Sequence, residues 1–432
     1  VLNFILRKLF YGILVLWGVI SFVFLIFSIK PGDPARMMGG QHATAEVIAT
    51  IKKDLGLDLP LYKQYLFYLN DVLPVSILEK NNKQSRIYND ASKYSVLAAV
   101  SLGKNKELVL KKPYLRRSYQ SRKKVSDIIW ESFPGTFVLA IVAMSFALIV
   151  GLFAGVFSAL YKSSFFDNST IFLSVLGMSG PSFFMAILIS WLGGYVWYET
   201  TSLPVLPFVF FIYGLIAYTY LRLKQKKKLW PLSLISSGFK FFFIGLVLWA
   251  IAGLIQFLFP SINLSFITNT FDLPGTGLEM TGSLYEYDVY TGKYLSLKNL
   301  ILPALTLGIR PLAVIIQLTR SSMIEVMDQD YIRTAKAKGL NMREIVWKHA
   351  LKNTLNPIIT AVSGWFASML AGAVFIEFVF GWKGLGLELY NSLIKDDLPV
   401  VMGSVLFIAA IFVIMNILVD IIYGILDPRI RI

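Results

Sequence analysis

Hydrophobic and polar positions along this chain fall into long blocks, not into the short alternation of a half-buried sheet or the stripe of a surface helix. Eight apolar blocks, at about 9–29, 133–160, 170–197, 204–221, 232–259, 300–318, 357–379 and 400–426, have about the length a helix needs to cross the hydrocarbon core of a bilayer. The pattern predicts an all-α polytopic membrane protein with about eight transmembrane helices. Arg7 and Lys8 precede the first block and no small-residue cleavage site follows it, so it reads as a retained span and not as a signal peptide. Pro31-Gly32-Asp33-Pro34 closes that span, since neither proline continues a helix. Helices are expected at 44–55, stopped by Gly56, and at 60–73, where Tyr62, Tyr65, Phe67 and Tyr68 suit a membrane interface.

Several blocks carry interruptions. Pro181 breaks the third, beside Gly177, Ser179, Gly180 and Ser182; small residues permit close helix approach, and the freed backbone groups need a partner or a wet cavity. Arg310 lies beside Pro311 in the sixth block, Glu377 near the end of the seventh and Asp420 in the eighth, each an expensive charge in a bilayer. Should the chain move a solute, Arg310, Pro181 and Glu377 are the candidate translocation-path residues; the alternatives are a packing kink at Pro181 and a charge satisfied by a neighbouring helix at Glu377 and Asp420.

The polar island at 320–356 is punctuated as helix, tight turn, helix. Asp328 or Asp330 is placed to cap a helix through Lys338, and Gly339 supplies the left-handed residue that stops it, followed by apolar Leu340. Asn341 with Glu344 resembles a capping box that starts a second short helix, expected to end at Pro357. Two short helices would then project from the membrane as a stiff lug, and the number of stop and start signals implies that something grips it.

Composition narrows the chemistry. The 432 residues are 56% hydrophobic with no cysteine and two histidines, which leaves no thiol nucleophile, disulfide framework or histidine-based metal centre to expect. Nothing matches a phosphate-binding GxxxxGK[ST] loop, so no catalytic residue and no cofactor is assigned to this chain. Charge sets the sidedness. The lug, counted from Arg333 to Lys352, and the short segments sharing its side hold 16 Lys or Arg, against Lys293, Lys298, Lys383 and Lys395 on the other, which places the lug and both termini in the cytoplasm. The segment at about 74–125 has 13 Lys or Arg against three acids, yet it lies in a long loop, and long loops cross largely regardless of charge. The expected organisation is a first transmembrane helix (1–30), an extracytoplasmic region with interfacial helices and that basic insert (31–132), two spans (133–200), a hairpin of spans (201–260), an extracytoplasmic loop (261–299) and a core containing the lug (300–432).

The run TRSSMIEVMDQDYIRTAKAKGL at 319–340, followed by HALKNTLNPIIT at 349–360, resembles the cytoplasmic coupling loop of ABC importer permeases of the oligopeptide, dipeptide and nickel branch, the first or B-type permease of the pair. Pro31-Gly32-Asp33-Pro34, Leu55-Gly56-Leu57-Asp58, Leu302-Pro303-Ala304-Leu305-Thr306-Leu307-Gly308, Glu377 before Gly384-Leu385-Gly386, and Asp427-Pro428-Arg429 extend the resemblance over most of the chain. It implies a type I ABC importer permease fold, a six-helix core to which the hairpin at 201–260 is added, in a bacterial inner membrane. It also implies peptide cargo, a second homologous permease, an extracytoplasmic binding protein, and two ABC ATPase subunits that hold the ATP and magnesium. The loop would seat on an ATPase subunit through Tyr331, Arg333, Thr334, Ala335, Lys336, Ala337, Lys338, Gly339 and Leu340, small residues entering a groove and cations fixing register at its rim. The general ABC-importer signature begins Glu-Ala-Ala where this chain has Arg333-Thr334-Ala335. Other readings are a nickel permease of the same branch, an ion-driven carrier, which would need internal repeats and a midplane carboxylate relay, and a basic loop that binds anionic membrane lipid. A nucleic-acid partner is not expected, because Pro357 begins another span too close to the helix pair.

Overall fold

The computed structural model describes residues 2–29, 35, 44–82, 85, 87–91, 93–103, 105–225, 231–260, 264–290 and 292–426. The turn at Pro31–Pro34, the lysines at 226–228, the terminal Asp427-Pro428-Arg429 and the side chain of Asp420 lie outside the described residues. Among the described residues, six helices are long and apolar enough to cross a membrane, or up to eight if each of two bent helix pairs is one span. Two compact units divide the chain: Val1–Ser145, Ser283–Leu295 and Ile358–Ile432 in one, Phe146–Gly282 and Ser296–Pro357 in the other.

In the first unit, α1 (Leu2–Ile29) packs along α14 (Leu398–Leu426), with Gly12 against Val413. Two helices follow α1. Thr44 caps α2 (Ala45–Leu55), and Gly56 ends it at φ +78°, as the sequence anticipates. Helix α3 (Leu61–Val72) buries Tyr68 and Val72 against Ile20. The basic segment, read from sequence only as a polar insert, contains a three-stranded antiparallel sheet, order β1-β3-β2, of Val75–Glu79, Val96–Ser101 and Lys106–Lys111. Burial alternates along Lys106–Lys111 although polarity does not: Glu107, Val109 and Lys111 face inward, Val109 joining Leu78 and Tyr94 in a small core, while Leu108 and Leu110 remain exposed. Asp71 fastens this sheet to α3, accepting from Tyr94 Oη at 2.8 Å and Arg116 Nε at 3.2 Å, while its carbonyl accepts from Lys111 Nζ at 2.6 Å. Helix α4 (Val125–Leu160) begins eight residues before the apolar block does, because Val125, Ile128 and Ile129 already have buried partners in Leu385 and Val400.

In the second unit, the third apolar block is two helices, α5 (Phe165–Ser179) and α6 (Ser182–Trp191), bent by 110° at Gly180-Pro181. The proline does more than kink the span. A π-helical turn, Leu192–Val196, extends α6. The hairpin α7 (Val205–Lys224) and α8 (Pro231–Leu258) packs on itself, and its ends are joined by an antiparallel ribbon of β4 (Thr201–Pro204) with β5 (Thr270–Leu273). A second ribbon, β6 (Tyr285–Asp288) with β7 (Gly292–Leu295), belongs to the first unit.

Helix α9 (Lys298–Met327) is the buried centre of the second unit, and it runs nine residues past the expected end of its span. Nothing stops it at Leu318, since Arg320 finds a buried partner and Met323 a core. After α9 come α10 (Asp330–Ala337), a single helical turn at Met342–Glu344, a π-helical segment at Ile345–Ala350, and α11 (Leu351–Gly372). The expected second short helix is therefore corrected. Helical backbone continues from Met342 into the seventh apolar block, with Pro357 inside it, as membrane helices tolerate where neighbouring groups satisfy the freed backbone. Helices α12 (Val374–Phe380) and α13 (Leu385–Ile394) complete the first unit.

Candidate functional site

Helix α10 is eight residues long, too short to persist by propensity alone, and its two ends and one face explain why it holds. At its start the capping expectation is corrected: Gln329 occupies the cap without a side-chain bond, and Asp330 sits in the first turn, favourable to the helix dipole and paired with Arg333 at 3.2 Å. At its end the Gly339 N–H donates to Lys336 O and the Leu340 N–H to Ala335 O, the double closure that a left-handed residue allows, with Gly339 at φ +79°. Asn341 Oδ1 then accepts from the Glu344 N–H at 2.8 Å and begins the next turn.

One face of α10 is internal. Ile332 and Ala335 pack with Val156 of α4, Met323 of α9, and Ile345, Val346 and Ala350, with Leu340 lying over them. Ala335, expected among the small residues offered to a partner groove, is thus 6% exposed and serves its own core. Tyr331, Arg333, Thr334, Lys336, Ala337, Lys338 and Gly339 are exposed, which leaves a face of three cations around small residues. Asn353 Nδ2 donates to Tyr331 Oη at 2.7 Å and ties this face to α11. Beside it Trp347 meets the Phe153 ring at a tilt of 60° and lines a shallow pocket of about 300 Å³ with Arg343, Glu344 and Lys348.

The inner ends of the helices behind α10 are fixed by a cluster that the sequence reading passed over. Asp167 in the first turn of α5 is 1% exposed and accepts from Arg320 Nε at 2.5 Å and Nη2 at 2.9 Å, from Ser158 Oγ at 2.5 Å and from the Ser163 N–H at 2.8 Å. A signal existed in Ser164-Phe-Phe-Asp167, a helix-start spacing in which Ser164 Oγ does accept from the Asp167 N–H. The partner, 153 residues away, left no signal. Along the same interface Gly151 and Gly155 of α4 admit Ile315 and Thr319 of α9 at distances no side chain would permit.

The three candidate path residues divide between the two units. Arg310 is exposed on α9 and has no ion-pair partner among the described residues, and Pro181 is exposed at the α5–α6 break. Glu377 of α12 belongs to the other unit and has no exposed surface. Its carboxylate accepts from Thr136 Oγ1 at 2.6 Å and the Leu387 N–H at 2.9 Å, and a Cβ on Gly384 would lie 2.5 Å from it. These contacts match the alternative weighed for Glu377, a charge satisfied by its neighbours: the Gly384-Leu385-Gly386 turn closes around it, while Trp382 Nε1 donates to Gly135 O at 3.0 Å.

Comparison with known proteins assigns this architecture. The family described as "Binding-protein-dependent transport system inner membrane component" matches residues 147–432, and its N-terminal companion matches residues 1–85. The chain is 31% identical to the di/tripeptide transport system permease protein DppB of Pseudomonas aeruginosa and 30% identical to the dipeptide transport system permease protein DppB of Escherichia coli K12. It is 27% identical to the glutathione transport system permease protein GsiC of Escherichia coli O6:H1. Each of these matches covers all of this chain and 99% of the relative. The chain belongs to the family of inner membrane components of binding-protein-dependent transport systems.

Proposed function

We propose that this chain is the B-type permease subunit of an ATP-driven importer that carries di- or oligopeptides, delivered by a binding protein outside the membrane and powered by separate ATPase subunits inside. The observation that carries the reading is α10: a short helix stopped at Gly339, held by its own core on one face and presenting Tyr331, Arg333, Thr334, Lys336, Ala337, Lys338 and Gly339 on the other. Stiffness and an exposed, register-fixing cationic rim are what a force-bearing contact with another subunit requires. Leu340 supports this face from behind. Cargo follows from the full-length relatives, whose names specify dipeptides, di/tripeptides and glutathione. The excess of Lys and Arg in the short segments that share a side with α10 supports a cytoplasmic position for it and for both termini. Arg310 and Pro181 are the candidates for the path: Arg310 is an exposed charge on the largely buried helix α9, and Pro181 is exposed at the α5–α6 break.

The test is reconstitution of this chain with its homologous permease, its ATPases and its binding protein in proteoliposomes. ATP-dependent uptake of a labelled dipeptide, competed by unlabelled peptides and not by nickel, is the expected result. Uptake driven by a proton gradient in the absence of nucleotide, or uptake of nickel alone, overturns it. Because the chain has no cysteine, Arg333→Cys provides a single crosslinking site, expected to join an ATPase subunit.

A further inference from the structure

Asp167 and Arg320 lie outside every residue assigned above to the coupling face, yet they fix the block on which α10 rests. Four donors converge on the Asp167 carboxylate, from the end of α4 (Ser158), the connecting turn (Ser163) and the inner part of α9 (Arg320 twice). The turn is bent to reach it: Ser163 stands at φ +62°, a region a serine enters only at a cost. Arg320 lies one helical turn from Met323 and two from Met327, and both methionines pack in the cluster that holds Ile332 and Ala335 of α10. Ala159 and Leu160 of α4, next to Ser158, pack in the same cluster. One ion pair therefore registers α4, α5 and α9 against each other directly beneath the coupling helix.

We infer that the Asp167–Arg320 pair is a positioning pair for energy coupling: by locking the inner ends of α4, α5 and α9, it sets the seat of α10 and so the fraction of ATP turnovers that move peptide. The inference rests on the reading of α10 as the coupling helix. A planar guanidinium donating two parallel bonds defines an orientation as well as a distance, which a point charge does not. A loosened pair leaves the outward face of α10 chemically intact while its seat becomes variable. The expected signature is ATP hydrolysis without matching transport.

The experiment compares wild type, Asp167→Asn, Arg320→Lys and the double variant Asp167→Asn/Arg320→Gln in the reconstituted transporter, measuring peptide taken up per ATP hydrolysed. The single variants should lower that ratio at least about fivefold, the low end of an allosteric coupling, with Arg320→Lys milder than Asp167→Asn because it keeps the charge and loses the fork. The double variant removes the unpaired buried charge and should recover assembly without recovering the ratio. An unchanged ratio in any variant that assembles, with uptake and hydrolysis falling together, overturns the positioning role and leaves a purely structural ion pair. Crosslinking from Arg333→Cys separates the two failures. A crosslink to the ATPase with an unchanged ratio refutes the positioning pair alone, whereas no crosslink in the otherwise wild-type chain refutes the coupling helix itself.

Discussion

Gly339 holds a backbone angle that an L-residue adopts only at a cost, and open space surrounds its missing side chain, so the angle alone selects it. Gly339→Ala should cost about 1–2 kcal/mol locally and reduce ATP-driven uptake with membrane insertion unchanged, while Gly339→Asn, better suited to the left-handed region, retains most of it. Thr136 has a double duty, donating to Glu377 and accepting from the Leu385 N–H at 2.8 Å. Thr136→Val should therefore cost about 1–3 kcal/mol for each buried group left unpaired, read as a lower melting midpoint in detergent that Thr136→Ser largely restores. Lys111 is 1% exposed, and burial pulls its ammonium down to about 8, with Asp71 opposing as the smaller effect. Its folded value lies below its unfolded one, so the unfolded chain binds more protons between about 8 and the ordinary 10.5, and stability rises with pH through that window. The melting midpoint of wild type relative to Lys111→Met should accordingly climb from pH 8 to pH 10. Of these three residues only Gly339 was legible in the sequence, because its role depends on neighbours one to five positions away.

At the scale of elements, helix contacts are set by what is absent as much as by what is present. Gly151 and Gly155 lie four apart on α4 and meet Ile315 and Thr319, four apart on α9. A Cβ at position 155 would stand 2.5 Å from Thr319 and 2.9 Å from the Ile316 carbonyl, so Gly155→Ala must push the two helices apart. Its expected cost is about 1–3 kcal/mol, seen as reduced yield of folded protein. Gly364→Ala in α11 meets nothing within 4 Å and is expected to be neutral or to stabilise by about 0.5–1 kcal/mol through helix propensity. The sequence exposed both sets of glycines equally and could not say which one faces a helix. It also read α10 as presenting Ala335 outward; an eight-residue helix has too few positions for periodicity to decide its inner face, and the core formed with Val156 and Met323 decided it.

At the scale of the whole molecule, the α7–α8 hairpin has its two ends brought together by a ribbon. Pro204 pairs with Thr270 across the β4–β5 ribbon, so the chain leaves and re-enters at adjacent positions. Replacing residues 205–269 by an Asn-Gly turn should close the ribbon as a β-hairpin. Because two spans are removed together, the sidedness of everything downstream is preserved. The shortened chain is expected to insert, assemble and import peptide; loss of assembly would show that the hairpin belongs to the working core.

The sequence by itself determined the number and approximate limits of the apolar blocks, the sidedness their flanking charges imply, and the stop at Gly339. Each of these follows from transfer energies and backbone restrictions that act within one segment. Only the tertiary structure decided that Glu377 is sealed inside its own turn, that Asp167 grips Arg320, and that the basic stretch before α4 folds around Leu78, Tyr94 and Val109. Those outcomes depend on partners 10 to 241 residues apart in the chain, and local pattern carries no information about which of these groups will complete a buried charge or a core.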